Sequence, residues 1–101
     1  MQEWTAEEVW DRLQKGEKLR IVDVREPFEF SSGHIPGAEL IPMGTIPRSL
    51  DKFSPSEEVV FVCRSGSRSF QVCQYLRASG YDNVVNMEGG MMYWPGEVVR
   101  G

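Results

Sequence analysis

Short, largely apolar runs alternate with helical patterns along the whole chain, and no other feature narrows the fold as much. Leu19 to Val24, Glu39 to Ile41, Val59 to Val62 and Val84 to Asn86 read as strands. Ahead of the first of them, Thr5-Ala6-Glu7-Glu8 is a capping box followed by Val9 and Leu13 and closed by Gly16, which predicts a helix over residues 5–15. Ser67 to Ser79 carries Val72, Cys73 and Leu76 on one stripe and stops at Gly80, a second helix. A helical turn is expected from Pro27 through Phe30. A short helix is expected from Ile46 to Phe53, with Ile46, Leu50 and Phe53 on one face and Ser54-Pro55 at its end. Strands with no polar face must be covered on both sides, so the expected class is α/β, a central parallel sheet flanked by helices on both faces. In such sheets reactive groups gather beyond the strand C-termini.

At 101 residues the chain is expected to form one domain over 1–101, with 97–101 as a loose tail. Its formal net charge is −4 and its basic residues are scattered, which argues against nucleic acid or an anionic membrane as partner. No apolar stretch approaches the roughly 18 residues that span a bilayer. Met1-Gln2-Glu3-Trp4 lacks the order of a signal peptide, so a cytoplasmic location is expected. Cys63 and Cys73 are the only cysteines, too few for a disulfide scaffold, and the sole histidine, His34, lies far in sequence from both. No metal site and no cofactor are therefore expected. Cys73 falls on the inner stripe of the second helix, where it is either a buried small hydrophobe or a resolving thiol.

Cys63 occupies a different setting. It ends the apolar run Val59-Val60-Phe61-Val62 and opens the loop Cys63-Arg64-Ser65-Gly66-Ser67-Arg68-Ser69, which leads into the helix. A strand, a glycine-bearing turn and a helix N-terminus aim several backbone N–H groups at one point, and the helix dipole adds positive potential there. Arg64 and Arg68 flank the same turn. Both effects favour thiolate over thiol, which marks Cys63 as a candidate nucleophile and the loop as a seat for anionic reactants.

With these residues in place the chain resembles the single-domain rhodaneses, sulfurtransferases that carry sulfane sulfur as a cysteine persulfide. The resemblance rests on four segments in order: Asp23-Val24-Arg25-Glu26, Gly33-His34-Ile35-Pro36-Gly37-Ala38, the Cys63 to Ser69 loop, and Asn86-Met87-Glu88-Gly89-Gly90 ahead of Trp94. It implies a rhodanese-like fold and transfer of sulfur from thiosulfate or a persulfide to a thiol or cyanide through a Cys63 persulfide. A protein sulfur donor or acceptor is a further implied partner. Phosphatases and arsenate reductases on this fold have a loop one residue longer than the sulfurtransferases. Here four residues, Arg64 to Ser67, separate Cys63 from Arg68, which favours sulfur over a tetrahedral oxyanion. The rival readings are a sulfur-carrier or regulatory binding module with little turnover, and a phosphatase or arsenate reductase. Two-domain relatives that cleave thiosulfate often carry a lysine two residues after the cysteine and an arginine beyond the Asp-x-Arg segment; Ser65 and Glu29 stand there in this chain.

The remaining candidates have open roles. Arg64 is expected either to contact the donor or to be solvated. Arg68, a cation against the helix dipole, needs either a bound anion or a carboxylate such as Asp23 or Glu26. Gly66 is expected to supply a conformation that side chains resist. Ser65 and Ser67 either donate hydroxyls to the persulfide or cap the helix, and Ser69 either turns its hydroxyl to Cys63 or caps. Asp23 and Arg25 are expected to tie the rim together, and His34 to fix its loop by a hydrogen bond. Met91, Met92, Tyr93 and Trp94 are read as core or as a docking surface.

Overall fold

The computed structural model describes residues 1–101. Its centre is a five-stranded, all-parallel sheet in the order β1-β5-β4-β2-β3, formed by β1 (Gln2–Thr5), β2 (Ile21–Asp23), β3 (Glu39–Leu40), β4 (Val59–Val62) and β5 (Val84–Glu88). The helices are α1 (Ala6–Gln14), α2 (Pro27–Ser31) and α3 (Ser67–Ala78), with 3₁₀ turns at Met43–Arg48, Leu50–Lys52 and Gly90–Tyr93.

Alternate residues of the central strands face opposite layers, as the pleat requires. Val22, Val24, Val59, Phe61 and Val84 pack against Val72, Cys73 and Leu76 of α3 and against Ile46 and Phe53. Ile21, Val60, Val62, Val85 and Met87 pack on the other face against Ala6 and Val9 of α1. The parallel sheet covered on both faces is thus present as expected.

Several boundaries differ from the sequence reading. β1 was not expected, because Gln2-Glu3-Trp4-Thr5 has no apolar run. It lies at the sheet edge, where three of its four residues are exposed and main-chain pairing with β5 holds it. The helix expected over 46–53 is instead two 3₁₀ turns. The first begins at Met43, ahead of the expected start, so Pro47 lies inside it and has no N–H to donate to the Met43 carbonyl, as an α-helical turn would require. Residues 97–101, expected to be loose, are tied down: the His34 and Val99 main chains exchange two hydrogen bonds of 2.9 Å, and Gly101 N donates to Ser31 O at 3.1 Å.

Candidate active site

β4 delivers Cys63 to the C-terminal edge of the sheet centre, and the chain turns at Gly66, with φ +99°, into α3. A Cβ at Gly66 would press to 3.1 Å of Gly89 N, so glycine meets both a conformational and a steric need. The Cys63 side chain is fully buried beneath this turn. Gly66 N–H donates to Sγ at 3.0 Å, and Ser69 Oγ lies 3.4 Å from it. The first intrahelical bond of α3 here runs from Phe70 N to Gly66 O, so the N–H groups before it are available to an anion. Burial alone pushes the Cys63 thiol up. The Ser69 hydroxyl and the amides of Ser69, Gly66 and Ser65 outweigh burial and leave the pKa below the ordinary thiol value. Cys73, buried in the apolar layer with no such donors, is pushed up to about 12, mainly by burial, with Glu3 adding to it. Its position fits the small-hydrophobe reading.

Ser69 is oriented from behind by a residue that sequence reasoning missed. Asn86 Oδ1 on β5 lies 2.5 Å from Ser69 Oγ and competes with the Cys63 sulfur for the one hydroxyl hydrogen, while Asn86 Nδ2 donates to Glu3 Oε1 at 2.9 Å and Gly66 O at 3.2 Å. The available signal was a polar residue inside Val84-Val85-Asn86-Met87, a strand buried except at its end. Beyond β5, Met91 N donates to Cys63 O at 2.9 Å and Met92 N to Arg64 O at 3.0 Å, so the Gly90–Tyr93 turn braces the loop.

The cations divide sharply. Arg68 forms a two-pronged pair with Glu29, 2.8 and 2.9 Å, rather than with Asp23 or Glu26. Asp23 is not free to take it. Buried Asp23 receives the Arg25 backbone N–H and its guanidinium at 2.8–3.1 Å, and Arg25 also donates to Gly33 O at 2.8 Å, so the pair links the end of β2 to the Gly33 loop. The Arg68 guanidinium, against a smaller upward push from burial, holds the Glu29 carboxyl down at about 2, and the Glu26 N–H assists. Arg64 is exposed and carries no carboxylate partner. Ser65 and Ser67 face each other at the surface, Oγ to Oγ 3.3 Å, and no side chain caps α3, which removes the capping reading for both. His34 Nδ1 lies 2.8 Å from Phe30 O, so this nitrogen carries the hydrogen, and the ring stacks on Phe30 at 3.6 Å. Both contacts tie His34 to α2. The Met91–Trp94 cluster is split. Trp94 packs edge-on to Trp10 at 5.6 Å, whereas Met92 and Tyr93 are exposed. No group of three or more His, Cys, Asp or Glu side chains is arranged to hold a metal. No helix is long and apolar enough to cross a membrane.

A parallel sheet with a thiol cradled in a strand-to-helix loop defines an α/β protein built around one cysteine. The rhodanese-like domain model matches residues 5–97, and the chain belongs to that family. It is 46% identical over 87 residues to YtwF of Bacillus subtilis, covering 86% of this chain and 84% of that one. It is 40% identical over 89 residues to a sulfurtransferase of Allochromatium vinosum, covering 88% and 83%. A solved rhodanese-like domain protein from Staphylococcus aureus superposes with a TM-score of 0.89 at 42% identity, each chain covered in full. Sulfur transfer is the activity class these relationships support.

Proposed function

We propose that the protein moves sulfane sulfur through a persulfide on Cys63. Supporting this reading most strongly is the buried sulfur held by the Gly66 N–H at 3.0 Å, with the Ser69 hydroxyl at 3.4 Å, in a loop whose donors lower its pKa. The Cys63 thiolate attacks the outer sulfur of the donor, the donor S–S bond breaks, and sulfite (from thiosulfate) or a thiolate (from an organic persulfide) leaves with the electron pair. An acceptor, a thiol or cyanide, then attacks the outer sulfur of the Cys63 persulfide and restores the thiolate.

The loop amides and Ser69 stabilise the thiolate and then the persulfide anion, an effect of about 3 kcal/mol per donor in comparable oxyanion sites. The same donors favour the thiolate over the thiol, so this reading assigns no general base to the attacking group. Asp23, Arg25 and His34 hold the rim, and Asn86 orients Ser69. In this reading Arg64 meets the incoming anion, Arg68 adds a positive field behind it, and Ser65, Gly66 and Ser67 complete the cradle.

Thiocyanate formation from thiosulfate and cyanide tests the proposal. The expected result is turnover by the native protein and by Cys73→Ala, and none by Cys63→Ser. Turnover that survives Cys63→Ser contradicts it, as does hydrolysis of an aryl phosphate in place of sulfur transfer.

A further inference from the structure

Beside the Cys63 loop lies an open groove of about 420 Å³ lined by Phe28, Glu29, Arg64, Met91 and Met92, with Arg25 and Ser32. We propose that Glu29 is a specificity-determining residue, which clamps Arg68 so that the site selects low-molecular-weight organic persulfides bearing a carboxylate over small inorganic dianions. The proposal rests on the sulfur-transfer reading above and names the donor class for it.

Of the three guanidiniums at the loop and groove, Arg25 is committed to Asp23 and Arg68 to both oxygens of Glu29, which leaves Arg64. Glu29 Oε1 also accepts the Glu26 N–H at 3.0 Å, so the carboxylate is fixed on its own helix while it holds the fork. A bidentate pair of this kind engages both terminal nitrogens of Arg68 and offsets its charge with a carboxylate. A compact dianion arriving at Cys63 therefore finds one uncommitted cation and, across the groove, a carboxylate.

An organic persulfide meets a better match. Its apolar body has Phe28 and Met92 to cover, 73% and 57% exposed on the groove walls, and one carboxylate suffices for Arg64. Together with Met91 they give the groove its apolar lining, beside Arg64. The volume falls within the roughly 300–1,000 Å³ of pockets that take small molecules, which favours a small donor over a protein one. Transfer then forms the Cys63 Sγ–S bond and breaks the donor S–S bond. The organic thiolate departs with the electron pair and the proton stays on the transferred sulfur, so nothing is oxidised or reduced overall.

The test compares kcat/KM for thiosulfate and for glutathione persulfide in the native protein, Glu29→Gln and Phe28→Ser. The native protein is expected to favour glutathione persulfide. Glu29→Gln releases Arg68 and is expected to raise the thiosulfate-to-persulfide ratio about tenfold, the worth of one charge-assisted contact, through a lower KM for thiosulfate. Phe28→Ser, at an exposed position that leaves the core alone, is expected to move the ratio the same way through a higher KM for the persulfide. A native preference for thiosulfate overturns the proposal, and so does a ratio that neither variant moves. Failure to saturate with glutathione persulfide also overturns it and points to a persulfide carried on a protein. Loading of Cys63 by thiosulfate and persulfide with equal efficiency sinks the selection but spares the sulfur-transfer reading; loading by neither sinks both.

Discussion

Two cysteines lie ten residues apart in one chain and have opposite acid–base character. Cys63 is held below the ordinary thiol range because oriented donors overcome its burial, whereas Cys73 sits in the same apolar layer without them and rises to about 12. Removing one donor should move Cys63 towards its neighbour. Ser69→Ala is expected to shift the iodoacetamide alkylation profile of Cys63 to higher pH, since the thiolate loses a hydrogen bond that the thiol needs less. An unchanged profile would show that the hydroxyl serves only Asn86. The loop itself was legible in the sequence because its parts are contiguous from Cys63 to Ser69. The partner of Arg68 was not. Glu29 lies 39 positions away, and only the fold shows that Arg25 has already taken Asp23.

The elements were legible wherever burial leaves a pattern. β2 and β4 lie in continuous apolar runs and α3 carries an apolar stripe, so the sheet centre and the helix behind Cys63 could be placed from the sequence. β1 carries no such pattern because an edge strand is fixed mainly by its main chain, and the 43–53 segment fails as one helix because Pro47 lies inside it. The turn after β5 is the element on which the site leans. At Gly90, φ is +60° and an added Cβ would come within 2.5 Å of the Cys63 and Arg64 carbonyl oxygens. Gly90→Ala is therefore expected to destabilise the domain by more than about 2 kcal/mol, combining backbone strain with overpacking, and to displace the loop. Urea denaturation reads the first effect and loss of sulfur transfer the second. A denaturation midpoint within error of the native value would contradict this bracing role.

At the scale of the whole molecule, distant segments are held together by the contacts that shape the rim. Glu29 has a folded-state pKa of about 2 against an ordinary 4.5, so its stabilisation is complete above about pH 4.5 and is lost as pH falls towards 2. Thermal midpoints measured across that window should fall less steeply for Glu29→Gln than for the native protein; parallel curves would mean that the Arg68 pair adds nothing. The C-terminal segment is a second tie. Deleting residues 98–101 removes both main-chain bonds to His34 and is expected to lower the thermal midpoint by roughly 5–10 °C, the effect of one to two kcal/mol in a domain of this size. The claim that joins the scales is that Cys63 accepts and shelters a sulfur atom. Intact-mass analysis after treatment with thiosulfate or glutathione persulfide tests it most directly. The expected result is a gain of one sulfur atom, mapped to Cys63 and removed by dithiothreitol. A protein whose mass never changes, or which gains sulfur only at Cys73, would contradict it.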